Sequence, residues 1–173
     1  MTIPHSIKFR TSIIFKQTGF TLVELLITMV VLAILATIGI PSFTALIANN
    51  RATTATNELL AALQYTRSEA VRQNASFAIC SSTDGQSCST ENAWHNGWIV
   101  TWGNDEPVQI WPAFNPAIEI VGPPSVTFGS AGEATVGVGQ FQVNATGGAG
   151  ATRRLCLEAS GRAFVGACAN ENE

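Results

Sequence analysis

"QTGFTLVELLITMVVLAILATIGIP", residues Gln17 to Pro41, contains an apolar run of 21 residues from Phe20 to Ile40 in which Glu24 is the only charge. As a helix rising about 1.5 Å per residue, that run is just long enough to cross a bilayer core of about 30 Å. A secretory signal fits it poorly, because its apolar region is about 7 to 15 residues long and precedes a small-residue cleavage site. Here the run is longer and continues into "IPSFTAL" with no A-x-A pattern. A membrane anchor fits the length, and Lys8, Arg10 and Lys16 ahead of it place its N-terminal side in the cytoplasm. A plain anchor does not explain Glu24, since a carboxylate inside a membrane costs about 2.5 to 3.5 kcal/mol on insertion scales and needs a partner.

Beyond Pro41 the composition becomes mixed. "SFTALIANNRATTATNELLAALQYTRSEAVRQN" holds no Pro or Gly and puts Leu59, Leu60, Leu63, Thr66 and Ala70 near one face, with Glu69 and Arg72 at i and i+3. The pattern predicts the amphipathic half of one long helix, from Phe20 to roughly Asn74. Gly39 and Pro41 mark the expected bend, because proline removes an intrahelical hydrogen bond. From Ala75 onward, short β-branched and aromatic runs alternate with turn residues: "SFAIC", "GWIVTW", "VQIW", "AIEIV", "SVTFG", "FQVN", "RRLCLE" and "RAFVG". These are read as two small antiparallel sheets packed on the amphipathic helix, with "TDGQS" and "NATGGAGA" as the flexible points.

The four cysteines, Cys80, Cys88, Cys156 and Cys168, all follow the apolar run, on the side where an oxidising compartment favours disulfides. Three pairings are open. The local one is preferred, because Cys80 and Cys88 bracket an Asp-Gly turn and Cys156 and Cys168 bracket a second short strand pair. A zinc site is the alternative, but neither spacing is the close pair of structural zinc sites and the nearby imidazole is His95 alone. Catalysis has few candidates after Gly19, where His95 is the single histidine and lysine is absent. Asp105 and Glu106 in "GNDEP" read as a turn with solvated carboxylates rather than a calcium site, and Trp94, Trp98, Trp102 and Trp111 as core and sheet-face residues rather than a ligand platform. The expectation is a protein that is not an enzyme and uses no metal or cofactor.

"GFTLVE" behind a short basic leader resembles the class III signal of type IV prepilins and of type II secretion pseudopilins. The resemblance implies cleavage by a prepilin peptidase between Gly19 and Phe20, methylation of Phe20, and pairing of Glu24 with a cationic N-terminal amine when subunits assemble. Each charge then removes the other's unpaired burial penalty. "NELLAALQYTRSEAVRQN", followed by "AICSSTDGQSC" and "GWIV", narrows the resemblance to the FimT and FimU branch of the family that also contains GspH. What it implies is an α+β type IV pilin fold with a cleaved leader at 1–19, a transmembrane and assembly helix at 20–41, an amphipathic helix at 42–74 and a β-rich domain at 75–173.

The function implied is that of a minor pilin in pilus initiation and assembly. Its partners would be other minor and major pilins, the prepilin peptidase, the inner-membrane assembly platform and the inner membrane, with the C-terminal domain in the periplasm. The alternatives are a GspH-like pseudopilin of type II secretion and a DNA-binding minor pilin for DNA uptake. FimT-like members resemble one another in a glycine-arginine motif that contacts DNA; here "ASGRAF" supplies Gly161 and Arg162, with Phe164 where a second arginine is expected. Arg153, Arg154 and Arg162 are the only basic residues after Arg72, and adjacent strands are expected to bring them to one exposed face. Without the leader the chain holds 9 − 3 = 6 basic residues against 12 acidic ones, which excludes broad, non-specific nucleic-acid binding and confines any such activity to a local patch.

Overall fold

A computed structural model describes residues 19–103, 106–146 and 151–168. Lys8, Arg10, Lys16, Asp105 and the 147–150 stretch of the glycine-rich loop lie outside the described residues. The chain forms one long helix, α1 (Leu22–Gln73), and then β1 (Phe77–Ser81), β2 (Trp98–Trp102), β3 (Glu106–Trp111), β4 (Ile118–Val121), β5 (Ser125–Phe128), β6 (Ala134–Val136), β7 (Gly139–Ala145), β8 (Thr152–Leu157) and β9 (Ala163–Val165). Two compact units divide after Ile38, so α1 contributes to both. Pro41 lies inside α1 rather than ending it.

In the first unit every described side chain from Leu22 to Ile38 is exposed, so this half of α1 buries nothing within its own chain. Its hydroxyls are satisfied locally. Thr28 Oγ1 donates to Leu25 O at 2.8 Å and Thr37 Oγ1 to Ile34 O at 2.7 Å, which leaves neither group bare toward an apolar solvent.

In the second unit α1 turns a narrow stripe inward, with Ala48, Ala52, Ala55, Leu59, Ala62, Leu63, Thr66 and Ala70 all buried. The 3 and 4 residue steps keep these positions on one face, and the alanines let the sheets approach closely. Thr56 and Thr66 are buried too, and each donates its hydroxyl to the carbonyl four residues back. The helix stops at Asn74, which takes φ 50°, and Ala75 N closes the end on Ala70 O at 3.1 Å. Asparagine tolerates this left-handed conformation better than most residues, which suits it to a helix C-terminus.

The strands form a five-stranded sheet ordered β3-β2-β1-β5-β6 and a four-stranded sheet ordered β4-β7-β8-β9, with every pairing antiparallel. All eight strand-like runs of the sequence are strands. The ninth, β6, escaped the reading because its three residues lie between Gly132 and Gly137, too short to show alternation. Inner-face residues of both sheets, including Phe77, Val100, Phe128, Phe141 and Leu155, close on the α1 stripe in one core. Trp94 joins the sheets: its ring meets Phe141 edge-on at 5.0 Å, and Nε1 donates to Pro123 O at 2.8 Å. Trp98 is also fully buried and stacks on Phe114 at 5.2 Å. Trp102 is a sheet-face residue, 49% exposed at the end of β2 and stacked on Phe77 at 6.2 Å.

Two disulfides are present, Cys80 to Cys88 and Cys156 to Cys168. The first ties the 82–89 loop over the outer face of the five-stranded sheet, where Cys80 and Ile99 are buried away from the main core. Asp84 shapes that loop by accepting from Ser87 N at 2.9 Å, Gln86 N at 2.8 Å and the hydroxyls of Ser87 and Ser82. The hydrogen bond from Ser87 N, then that from Gln86 N, holds its carboxyl well below the usual carboxylate range.

Candidate functional sites

Gly19 and Phe20 precede α1, and Phe20 is 84% exposed. A Cβ added to Gly19 would meet nothing within 4 Å, so nothing among the described residues requires glycine there. Thr21 caps the helix by accepting Glu24 N on Oγ1 at 3.2 Å. "TLVE" therefore also has the spacing of a capping box, a signal the sequence reading passed over. It places Glu24 in the first turn, where the helix dipole favours an anion, and among the described residues no group hydrogen-bonds to its carboxylate. The arrangement is a single acid in the first turn of an apolar helix half whose described side chains are all exposed.

The four-stranded sheet does not gather the three arginines as expected. Arg153 pairs with Val143 and Arg154 with Gln142, and because neighbours on a strand face opposite sides, Arg153 lies on the face of buried Val143 and Leu155 while Arg154 lies on the outer face. Arg162 is exposed and sits over the Phe164 ring, 5.0 Å from its centroid. Phe164, standing where a second arginine was expected, is thus a platform for the first. Arg153 and Arg154 both line a depression whose other described walls are Thr152, Val165, Gly166 and Ala167.

Gly161 has a packing role. It takes φ +77°, and a Cβ there would lie 1.9 Å from Gly132 O. The turns of the two sheets meet at this point, with Ala134 N donating to Ala159 O at 3.0 Å. Arg67 clasps both turns to the helix by donating through Nε to Gly132 O at 2.7 Å and through Nη2 to Ser160 O at 3.1 Å. Sequence reasoning missed Arg67 because its acceptors are 65 and 93 residues away; the faint signal was an arginine flanking the buried stripe beside Thr66.

His95 also has a structural role, since its Nδ1 accepts Ile120 N at 3.3 Å. All four cysteines are consumed in disulfides and offer no thiolate to a metal. Among the described residues no group of three or more His, Cys, Asp or Glu is placed to hold an ion.

An N-terminal helix with an uncovered apolar half, continuing into a stripe packed on two antiparallel sheets, defines the type IV pilin fold. The same fold occurs in the crystal structure of the Pseudomonas aeruginosa type IV minor pilin FimU. In one crystal form the match has 20% identity and a TM-score of 0.52, covering 68% of this chain and 90% of that one. In a second form the identity is 20% and the TM-score 0.50, with 66% and 92% covered. A more distant likeness, at 14% identity and a TM-score of 0.44, is to the minor pseudopilin EpsH from the Type 2 Secretion System of Vibrio cholerae, covering 68% of this chain and 97% of that one. The chain belongs to the GspH family: the family described as type II transport protein GspH matches residues 55–161, and the prokaryotic N-terminal methylation motif matches residues 14–40. Curated protein sequences yield no significant match.

Proposed function

We propose that this chain is a minor type IV pilin that acts in initiation and assembly of the pilus. It is cleaved between Gly19 and Phe20 by the prepilin peptidase, methylated on Phe20, and held in the inner membrane by residues 20–41 with its β-rich domain in the periplasm. From there it joins other minor and major pilins through the assembly platform. The observation that carries this reading is the methylation-motif match at residues 14–40, which ends in an apolar helix half that its own fold leaves uncovered. Glu24 and the new amine of Phe20 are the pair that makes extraction from lipid into a filament favourable, since each is costly alone and neutralised together.

The family description of residues 55–161 favours a second reading, a GspH-like pseudopilin of type II secretion. A deletion strain scored in parallel for surface pili and for protein secretion separates the two. Loss of pili with normal secretion is expected, and loss of secretion with normal pili would establish the pseudopilin instead.

A further inference from the structure

We propose that the outward face of α1 is an interface with a second copy of this chain, packed parallel and in register, with the amides Asn50, Asn57 and Gln64 setting that register. The parallel orientation rests on the anchored-pilin reading above, and the seam adds to that reading a self-contact between subunits.

The three amides stand seven residues apart on α1, and Thr54, Ala61 and Ser68 fall between them in steps of four and three. Such steps draw one line along a helix, and they are the spacing of a helix–helix seam. The line runs opposite the buried stripe, so all six side chains are exposed and within reach of a partner. It bears no charge. Arg51 and Glu58 stand beside it, although a helix face left to water ordinarily carries charged residues along its middle. Apolar residues continue the line in the same steps, with Ile47 and Phe43 at one end, 44% and 69% exposed, and Val71 at the other.

The chemistry of the line selects its partner. A carboxamide carries donors and an acceptor together, so it complements another carboxamide, whereas a carboxylate or a guanidinium meeting its own counterpart is repelled. Among the described residues no group hydrogen-bonds to the side chains of Asn50, Asn57 or Gln64. In a parallel copy at the same depth, each amide meets its own counterpart. The anchor supplies that depth, because two chains held in one bilayer by the same residues 20–41 start level with each other. A slip of one place along the line sets an amide against Thr54, Ala61 or Ser68, and a slip of a whole heptad, about 10.5 Å, takes the anchors out of level. Exposed amides give up water when they pair, so they choose the register, while burial of Phe43 and Ile47 draws the helices together.

The test uses the full-length chain in its own membrane. All four native cysteines are held in disulfides, so an introduced cysteine is the free thiol to follow. After brief oxidation, Asn57→Cys should join at least half of the chain into disulfide-linked pairs of copies, and Asn49→Cys, exposed on a different face, should yield at least tenfold less. Asn50→Cys co-expressed with a differently tagged Asn57→Cys should give at least fivefold less mixed product than Asn57→Cys gives with itself. Ala61→Cys should also pair; adding Asn57→Lys should lower its product at least fivefold, and adding Asn57→Gln twofold or less. Cleavage mass and protease resistance of the β-rich domain should match the wild type in every variant, which separates loss of pairing from misfolding.

Equal products from Asn49→Cys and Asn57→Cys would overturn the seam, as would an Ala61→Cys product that Asn57→Lys leaves unchanged. A mixed product equal to the self product would overturn the register. A photo-crosslinker at Ala61 that captures only other proteins would overturn the second copy and give the face to a different partner. If the wild-type chain is absent from sheared filaments while the seam products still form, the assembly reading falls and the self-contact stands.

Discussion

Glu24 carries one charge on a helix half that is otherwise apolar and exposed, so its effect should be confined to the step in which the helix changes surroundings. Glu24→Ala is expected to be cleaved and inserted like the wild type but to appear in sheared filaments at a tenth of its level or less, measured by quantitative mass spectrometry. Normal incorporation would show that no charge pairing is needed. Gly19 behaves oppositely: open space surrounds it, so replacement by a bulkier residue should leave folding untouched and abolish cleavage, read as an unprocessed mass. Gly161→Ala should be destabilising, because a left-handed non-glycine residue alone costs about 1 to 3 kcal/mol and the overlap with Gly132 O adds to it. Denaturant midpoints check this, and an unchanged midpoint would mean that the turn relaxes freely.

At the scale of single elements, the 82–89 loop is held to the five-stranded sheet by the Cys80 to Cys88 disulfide and by Asp84. Since the Asp84 carboxyl is lowered in the folded state, its contribution is complete above the ordinary carboxylate value near 4 and is lost only as pH falls through the lower folded value. Its carboxyl resonance is therefore expected to titrate below the ordinary carboxylate range, and Ser87→Ala, which removes the hydroxyl donor but keeps the two backbone N–H donors, to raise the midpoint only in part. Replacing Cys80 and Cys88 together by alanine should cost about 2.5 kcal/mol by loop entropy and raise hydrogen exchange in the loop ahead of the rest of the sheet. Arg67 works across elements. Arg67→Ala leaves buried Gly132 O without its donor, while exposed Ser160 O returns to water, and a loss of about 1 to 3 kcal/mol is expected from the one abandoned carbonyl.

For the molecule as a whole, the division after Ile38 separates two kinds of surface, one that buries nothing of its own chain and one with a complete core. A shortened chain beginning at Ala45 retains Ala48 and every later core residue, and it is expected to stay soluble and unfold in one cooperative transition by circular dichroism. Aggregation or a non-cooperative transition would mean that the apolar half also supports the domain. Its thiols should be unreactive until reduced, because both disulfides lie wholly within it.

What the sequence determined by itself was whatever depends on local spacing. The membrane-length run with its single acid, the inward stripe from Leu59 to Ala70 and eight of the nine strands were legible because 3.6-residue and 2-residue periods are written in consecutive residues. The tertiary structure decided everything that depends on which distant segments meet. Arg67 became a clasp because two turns far along the chain present carbonyls to it, and Gly161, which in sequence belonged to an arginine motif, proved to be the point where those turns touch. Arg153 and Arg154 are adjacent in sequence yet face opposite sides of a strand, because β8 pairs them with Val143 and Gln142. Register and strand length are set by long-range pairing, and no window of neighbouring residues contains them.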